Sequence, residues 1–360
     1  MGIGDSITLF LDNMRTTITF ARPECALQPF SQGRGLLVCD ENTRGLLPQE
    51  DTRIRDQYQS APPGREQELV LPPGEAQKKW DSVAAILERA VETGLDRESE
   101  FWGLGGGVIC DLTGFAASVY MRGCGLVLVP TTLLAMVDAS IGGKTGFDFA
   151  GYKNMVGSFY PAREVIIVPE VLASLEQSHF LGGLAEVIKH ALLEDRQLLE
   201  LLEKRNKEVL DRDPQVIAAL VERAIRVKVK IVESDFREQG VRAHLNLGHT
   251  FAHALESVTG FSVWTHGFAV AWGMDKALKT GLEMGITEPE YVDRVEQLLK
   301  SYGFLLHSGE DPEELVRAMH HDKKRRYGEV RHILQPSLCE TVIRPVDDKL
   351  IAKVLEQYDT

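Results

Sequence analysis

The chain has 360 residues, 44% of them hydrophobic, and its 40 basic against 53 acidic side chains leave a net charge of −13. That length supports a large core divided between two domains, and the acidic balance argues against nucleic acid or an anionic membrane as partner. No apolar run approaches the roughly eighteen residues of a spanning helix, no signal peptide opens the chain, and five cysteines without paired spacing point to a reducing cytoplasm.

In chain order, GLLVC at 35–39 predicts a strand that ends in the polar loop Asp40-Glu41-Asn42-Thr43. QELVL at 67–71 predicts a second strand, stopped by Pro72-Pro73-Gly74. Residues 80–93 carry helical periodicity through Val83, Ile86, Leu87, Ala90 and Val91. A strand at 101–104 runs into three glycines, and 108–121 continues as a helix. LVLVP at 126–130 and VIIV at 165–168 read as further buried strands. Apolar strands alternating with helices predict a parallel sheet covered on both faces. Beyond about residue 171 helical patterns dominate, at 183–193, 197–210, 214–233, 249–258, 268–284 and 288–302. The expected fold is an α/β N-terminal Rossmann-like domain over 1–175 and an all-α C-terminal domain over 176–360, with an active site where the two meet.

The polar residues that chemistry needs are concentrated in a few segments. Gly105-Gly106-Gly107 lies between a strand and a helix, where backbone N–H groups bind phosphate. GxGxxG is not satisfied, because Cys110 occupies its last glycine position, so this turn fits nucleotide binding or a plain tight turn equally. Asp40 ends a strand where a carboxylate can hold a ribose hydroxyl; it also reads as an ordinary loop aspartate. Gly142-Gly143-Lys144-Thr145 resembles the tail of a P-loop, yet Asp138 stands where that motif begins, which excludes an NTPase. Asp138, Lys144, Lys153 and Asn154 can instead form the polar wall of an active-site loop, or a solvated loop.

The segment 235–274 is the densest. His249 and His253 are four apart, so on a helix they share one face; Arg242 and Asn246 just upstream are also four apart, and His266 opens the next helical run. Imidazoles, a guanidinium and an amide this close predict a pocket for a metal and an anionic, oxygen-rich substrate. His249-Thr250-Phe251-Ala252-His253 lacks the glutamate of HExxH, which argues against a zinc protease. A catalytic divalent metal takes about three protein ligands and keeps a position open. Spacing leaves the third ligand undecided between Glu186, in an otherwise apolar helix with Lys189, and His190. Arg122, Lys144, Lys153, Lys189, Lys228, Arg242 and the run 323–326 place cations beside these motifs, as a small anionic ligand requires.

Together these segments resemble the dehydroquinate synthase family of the sugar phosphate cyclase superfamily. The likeness is carried by PPGEAQK at 72–78, GGGVICDLTGFAASVYMRG at 105–123, PTTLLAMVDASIGGKTGFD at 130–148 and KNMVGSFY at 153–160. It continues through GLAEVIKHALL at 183–193, NLGHTFAH with its following HG up to 267, and DKK at 322–324. The resemblance implies tightly held NAD, one divalent metal (zinc or cobalt), a homodimer and a sugar phosphate substrate. It puts the metal on Glu186, His249 and His266. NAD contacts fall on Asp40, Glu75, Lys78, Gly107, Asp111, Thr131, Thr132, Lys144, Lys153 and Ser174. Substrate groups fall on Asp138, Lys144, Asn154, Lys189, Lys228, Arg242, Asn246, His253 and Lys324, with Arg122 reaching phosphate in the neighbouring subunit's site. Phe268 stands where the family often has a glutamate, which leaves open what supports His266. The implied reaction turns 3-deoxy-D-arabino-heptulosonate 7-phosphate into 3-dehydroquinate and phosphate, within the shikimate pathway, by transient oxidation, β-elimination, re-reduction and intramolecular aldol closure. The competing expectations are a cyclase of the valiolone or amino-dehydroquinate type, a metal- and NAD-dependent polyol dehydrogenase, and a non-catalytic binding protein.

Overall fold

The computed structural model describes residues 5–12, 14–23, 35–46, 67–260, 263–323 and 330–359. The chain divides into two compact units, residues 1–176 with 228–237 and residues 177–227 with 238–360. The expected division at 175/176 lies one residue from the first of these limits, but 228–237 counts with the first unit. The side chains there explain it: Lys228 pairs with Asp138, Phe236 stacks edge-on against Phe159, and Glu233 accepts a hydrogen bond from the Phe10 amide.

The first unit is built on a seven-stranded sheet of β1 (Ser6–Leu11), β2 (Met14–Phe20), β3 (Gly35–Asp40), β4 (Glu68–Leu71), β5 (Glu100–Gly105), β6 (Gly125–Pro130) and β9 (Glu164–Ile167), in the order β1-β2-β9-β6-β5-β3-β4. All neighbours are parallel except β1 and β2. Leu37, Cys39, Trp102, Leu104, Val127, Val129, Ile166 and Val168 form the core on one face. The alternate residues Leu36, Val38, Phe101, Leu126 and Val165 are equally buried. Burial on both faces is why these strands read as unbroken apolar runs. Helix α1 (Trp80–Glu92) and helix α2 (Gly107–Val119) follow β4 and β5.

Two elements here escaped the sequence. The β1–β2 pair is threonine-rich and lacks a long apolar run. Residues 144–159, expected as a loop, instead form an antiparallel hairpin of β7 (Lys144–Phe149) and β8 (Tyr152–Phe159). Gly146 and Gly157 face each other across it, and a Cβ on Gly157 would lie 2.3 Å from the Thr145 carbonyl oxygen. Its turn, Ala150-Gly151, has φ of 53° and 81°, the positive pair of a two-residue hairpin turn.

The second unit is helical: α3 (Gln177–Glu194), α4 (Arg196–Lys204), α5 (Asn206–Leu210), α6 (Pro214–Ser234, whose end belongs to the first unit), α7 (His249–Val258), α8 (His266–Glu283), α9 (Pro289–Ser301), α10 (Pro312–Lys323) and α11 (Asp348–Tyr358). One helix expected over 197–210 is two, because the backbone breaks from helical geometry at Arg205 (φ −118°, ψ 28°). A small antiparallel sheet, β10 (Arg331–Leu334) with β11 (Val342–Pro345), adds to the expected all-helical composition. Central α8 is buried along most of its length and even encloses Lys276. That ammonium donates to Asp275 at 3.0 Å and to the carbonyls of Leu306 and Tyr358 at 2.6 Å, which offsets the cost of burying its charge.

Candidate active site

Candidate residues fall on both units. In the first, the chain lays β4 on one side of β3 and then β5 on the other, so the direction of winding reverses between β3 and β5. Ligands of open α/β sheets bind at the carboxyl ends of strands flanking such a reversal. Asp40 ends β3 and Gly105-Gly106-Gly107 ends β5 and opens α2, with Gly106 as the N-cap. Asp40 accepts hydrogen bonds from the Thr43 amide (2.9 Å) and hydroxyl (3.0 Å), while that hydroxyl also lies 3.0 Å from the Leu104 carbonyl. Thr43 thus ties the two strand ends together, a role the sequence reading missed. An apolar hollow lined by Leu46, Leu104, Val129, Pro130, Val168 and Val171 opens at the same strand ends, with Thr131 at its edge. Thr132 caps the following turn by accepting from the Ala135 amide at 3.1 Å.

Lys78 links several expected residues. Its ammonium lies 2.6 Å from Asp111 and 2.6 Å from the Asn154 side-chain oxygen. Burial pulls its titration down, but Asp111, Glu75 and Asp148 more than offset that, so the charge is held. Asp148 also accepts from the Asn154 amide at 2.7 Å, fixing a residue whose φ is +51°. Lys228 pairs with Asp138 at 2.5 Å. Lys144 and Lys153 are exposed on the hairpin, and Ser174 is turned onto the Val171 carbonyl, 3.0 Å away. Arg122 follows Met121 with φ of 70° and 46°, left-handed backbone that costs about 1–3 kcal/mol per residue and collects at functional sites.

In the second unit, three helices are drawn together by glycines. A Cβ on Gly267 would lie 2.1 Å from the Gly182 carbonyl oxygen, and one on Gly273 would lie 2.2 Å from that of Gly248. Gly182 is one turn before Glu186 on α3, Gly267 follows His266 on α8, and Gly248 caps α7 immediately before His249 with φ +80°. Backbone contact therefore brings the three side chains to one point. Their ligand atoms lie within 4.8 Å of one another, with each histidine Nε2 at 3.7 Å from Glu186 Oε1. Gly267→Ala should lower the melting temperature and abolish metal uptake, since overpacking costs about 1–3 kcal/mol and a backbone obstacle cannot rotate aside. Gly182→Ala, with nothing within 4 Å of its Cβ, should be tolerated. Thermal melts and metal titration of both variants check this pair.

Glu186 is completely buried and paired with the buried Lys189 ammonium three residues on; among the described residues neither carboxylate oxygen has a further hydrogen-bond partner. One carboxylate and two imidazoles converging on a point are a donor set for zinc or cobalt, so the residues present fit a divalent metal. His249 titrates well below the ordinary imidazole value because burial, then the charges of Lys189, His266 and His253, oppose its cation. Burial opposes the His266 cation too, but Glu256 and Glu186 outweigh it and raise its titration. His253 is exposed, its ring centroid 5.5 Å from that of His249. Arg242, 1% exposed, sits in a short 3-10 helix (Val241–Asn246) with Asn246, whose side-chain amide donates to Glu238 at 2.7 Å. Lys324 lies outside the described residues, as do the side chains at 321–323.

A mainly parallel sheet with a glycine turn at its winding reversal, joined in one chain to helices that gather a Glu–His–His set, defines a two-unit α/β enzyme. Family models described as 3-dehydroquinate synthase N-terminal and C-terminal match residues 68–182 and 183–325. The chain belongs to the 3-dehydroquinate synthase family. It is 41% identical over 293 residues to 3-dehydroquinate synthase of Rippkaea orientalis (79% of this chain, 80% of that one) and 40% identical over 326 residues to that of Laribacter hongkongensis (90% and 89%). Among solved structures it resembles 2-epi-5-epi-valiolone synthase of Streptomyces hygroscopicus with NAD+ and Zn2+ bound, at TM-score 0.85 and 25% identity over 97% of this chain and 98% of that one.

Proposed function

We propose that the chain is a 3-dehydroquinate synthase, converting 3-deoxy-D-arabino-heptulosonate 7-phosphate into 3-dehydroquinate and phosphate. The observation that carries the reading is the Glu186–His249–His266 set, a buried carboxylate met by two half-buried imidazoles, in a chain of this family. Those three residues would hold the metal. Asp40, Glu75, Lys78, Gly107, Asp111, Thr131, Thr132, Lys144, Lys153 and Ser174 would hold NAD. Bound there, the metal would supply Lewis acidity toward a substrate hydroxyl and NAD would supply reversible hydride chemistry.

The rest is work for the protein's own side chains. Arg242 presents the planar fork that grips a carboxylate at two points. Lys144, Asn154, Asn246, His253 and Lys324 serve the phosphate, and Asp138, Lys189 and Lys228 the remaining substrate groups. Lys78 orients Asn154 through the 2.6 Å hydrogen bond to its oxygen. The departing phosphate can take the proton in its own elimination, so no side chain needs to act as that base. The same reading makes the protein a cytoplasmic homodimer that binds no nucleic acid, with Arg122 serving the neighbouring subunit. The net charge of −13 supports the exclusion of nucleic acid, and the buried free thiols of Cys39, Cys110 and Cys124 support a reducing compartment.

The likeness to a valiolone synthase favours a second reading, a cyclase acting on a sugar phosphate without a carboxylate. Phosphate release from the heptulosonate phosphate, with product identification and a chelator control, tests the proposal. One phosphate per substrate, no net NADH and loss of activity on chelation are expected. Accumulating NADH would make the enzyme a polyol dehydrogenase, and turnover only of a substrate lacking the carboxylate would make it the second kind of cyclase.

A further inference from the structure

Position 268 supplies no carboxylate to His266: Phe268 stacks edge-on against Phe304, with ring centroids 5.3 Å apart. The carboxylate behind His266 comes from another helix. Glu256 Oε1 lies 3.6 Å from His266 Nδ1, and Glu256 is 2% exposed. On α7 it follows His249 by seven residues and His253 by three, so all three occupy one face of that helix. His249 is backed differently, its Nδ1 lying 3.3 Å from the Leu247 carbonyl oxygen. Both imidazoles therefore aim Nε2 at Glu186 and Nδ1 at an acceptor, a carbonyl for one and a carboxylate for the other.

We propose that Glu256 is the positioning residue for His266, holding its proton on Nδ1 so that Nε2 keeps a lone pair for the metal. The inference rests on the metal reading of Glu186, His249 and His266 given above. An imidazole has two nitrogens and, when neutral, one proton; an acceptor behind one nitrogen decides which of them is left to ligate. A carboxylate does this more strongly than a carbonyl and also raises the donor strength of the ring. A buried glutamate is costly unless paired, and here the His266 imidazole lies beside it. One helix thus brings a metal ligand, His249, and the support for the ligand on the next helix.

The test uses the full chain freed of metal and titrated with zinc against a chromophoric chelator. Glu256→Gln preserves the volume and loses the charge, and Glu256→Ala removes the group; melting of the metal-free proteins shows whether each is folded. Glu256→Ala should weaken zinc binding by about 10- to 100-fold and Glu256→Gln by less. In a His266→Ala background, Glu256→Gln should cause no further loss, because its effect passes through His266. A purely structural glutamate would lower the melting temperature and leave zinc affinity unchanged. Wild-type affinity in both single variants overturns the role, as does an undiminished loss in the His266→Ala background. A wild-type chain that takes up no zinc overturns the metal reading itself, and this role with it.

Discussion

His249→Ala is expected to lose metal binding and turnover together. The residue opens α7, and Gly248 before it packs against α8, so the imidazole has little freedom to be replaced by a neighbour. His253, the nearest alternative, has its ring 6.4 Å from that of His266 and is exposed. Loss of a ligand should exceed the about 10- to 100-fold that loss of a supporting group causes. Metal content after dialysis and the rate of phosphate release, measured on the same sample, check this. Full activity in a metal-depleted variant would sink the metal assignment. Acid should mimic the mutation. His266 has its titration raised in the metal-free protein, so lowering the pH through that raised value puts a competing proton on the ligand. Zinc affinity should therefore start to weaken at a higher pH than an ordinary imidazole would dictate, and recover as the pH is raised.

The second large effect is at Arg242. Arg242→Ala should raise KM for the carboxylated substrate by a factor equivalent to about 2–5 kcal/mol, the cost of removing one partner from a buried charge pair. Arg242→Lys should recover only part of it, because an ammonium cannot reproduce the two-point grip of a guanidinium. Steady-state kinetics of both variants, with melting curves to separate misfolding from lost binding, give the answer. An unchanged KM in Arg242→Ala would favour a substrate without the carboxylate, the second reading above.

Much of the architecture was legible because burial on both sides leaves an unmistakable mark. Strands β3, β5, β6 and β9 carry continuous apolar runs, and α7 was expected over 249–258 and is found there. Where that mark is diluted, reading failed. The β7–β8 hairpin is glycine-spaced and exposed along β8, so neither alternation nor an apolar run announces it. Arg205 interrupts a helical pattern that stays periodic across the break.

The site divides the same way. Residue types, spacing and family likeness named Glu186, His249 and His266, and the i, i+4 histidines needed only the geometry of a helix. Glu256 carries a signal too, at i+7 from His249, whereas the family pattern points to position 268, two residues after His266. What the sequence by itself determined is which chemistry the chain can carry, since donor types, charge and helical period are properties of local segments. Tertiary structure decided which donors meet. Glu186 stands 63 residues before His249, and their encounter depends on glycines whose missing side chains let α3, α7 and α8 touch backbone to backbone. An absent Cβ leaves no hydrophobic pattern, so its purpose shows only when the opposing carbonyl is seen at 2.1–2.2 Å from where that atom would be.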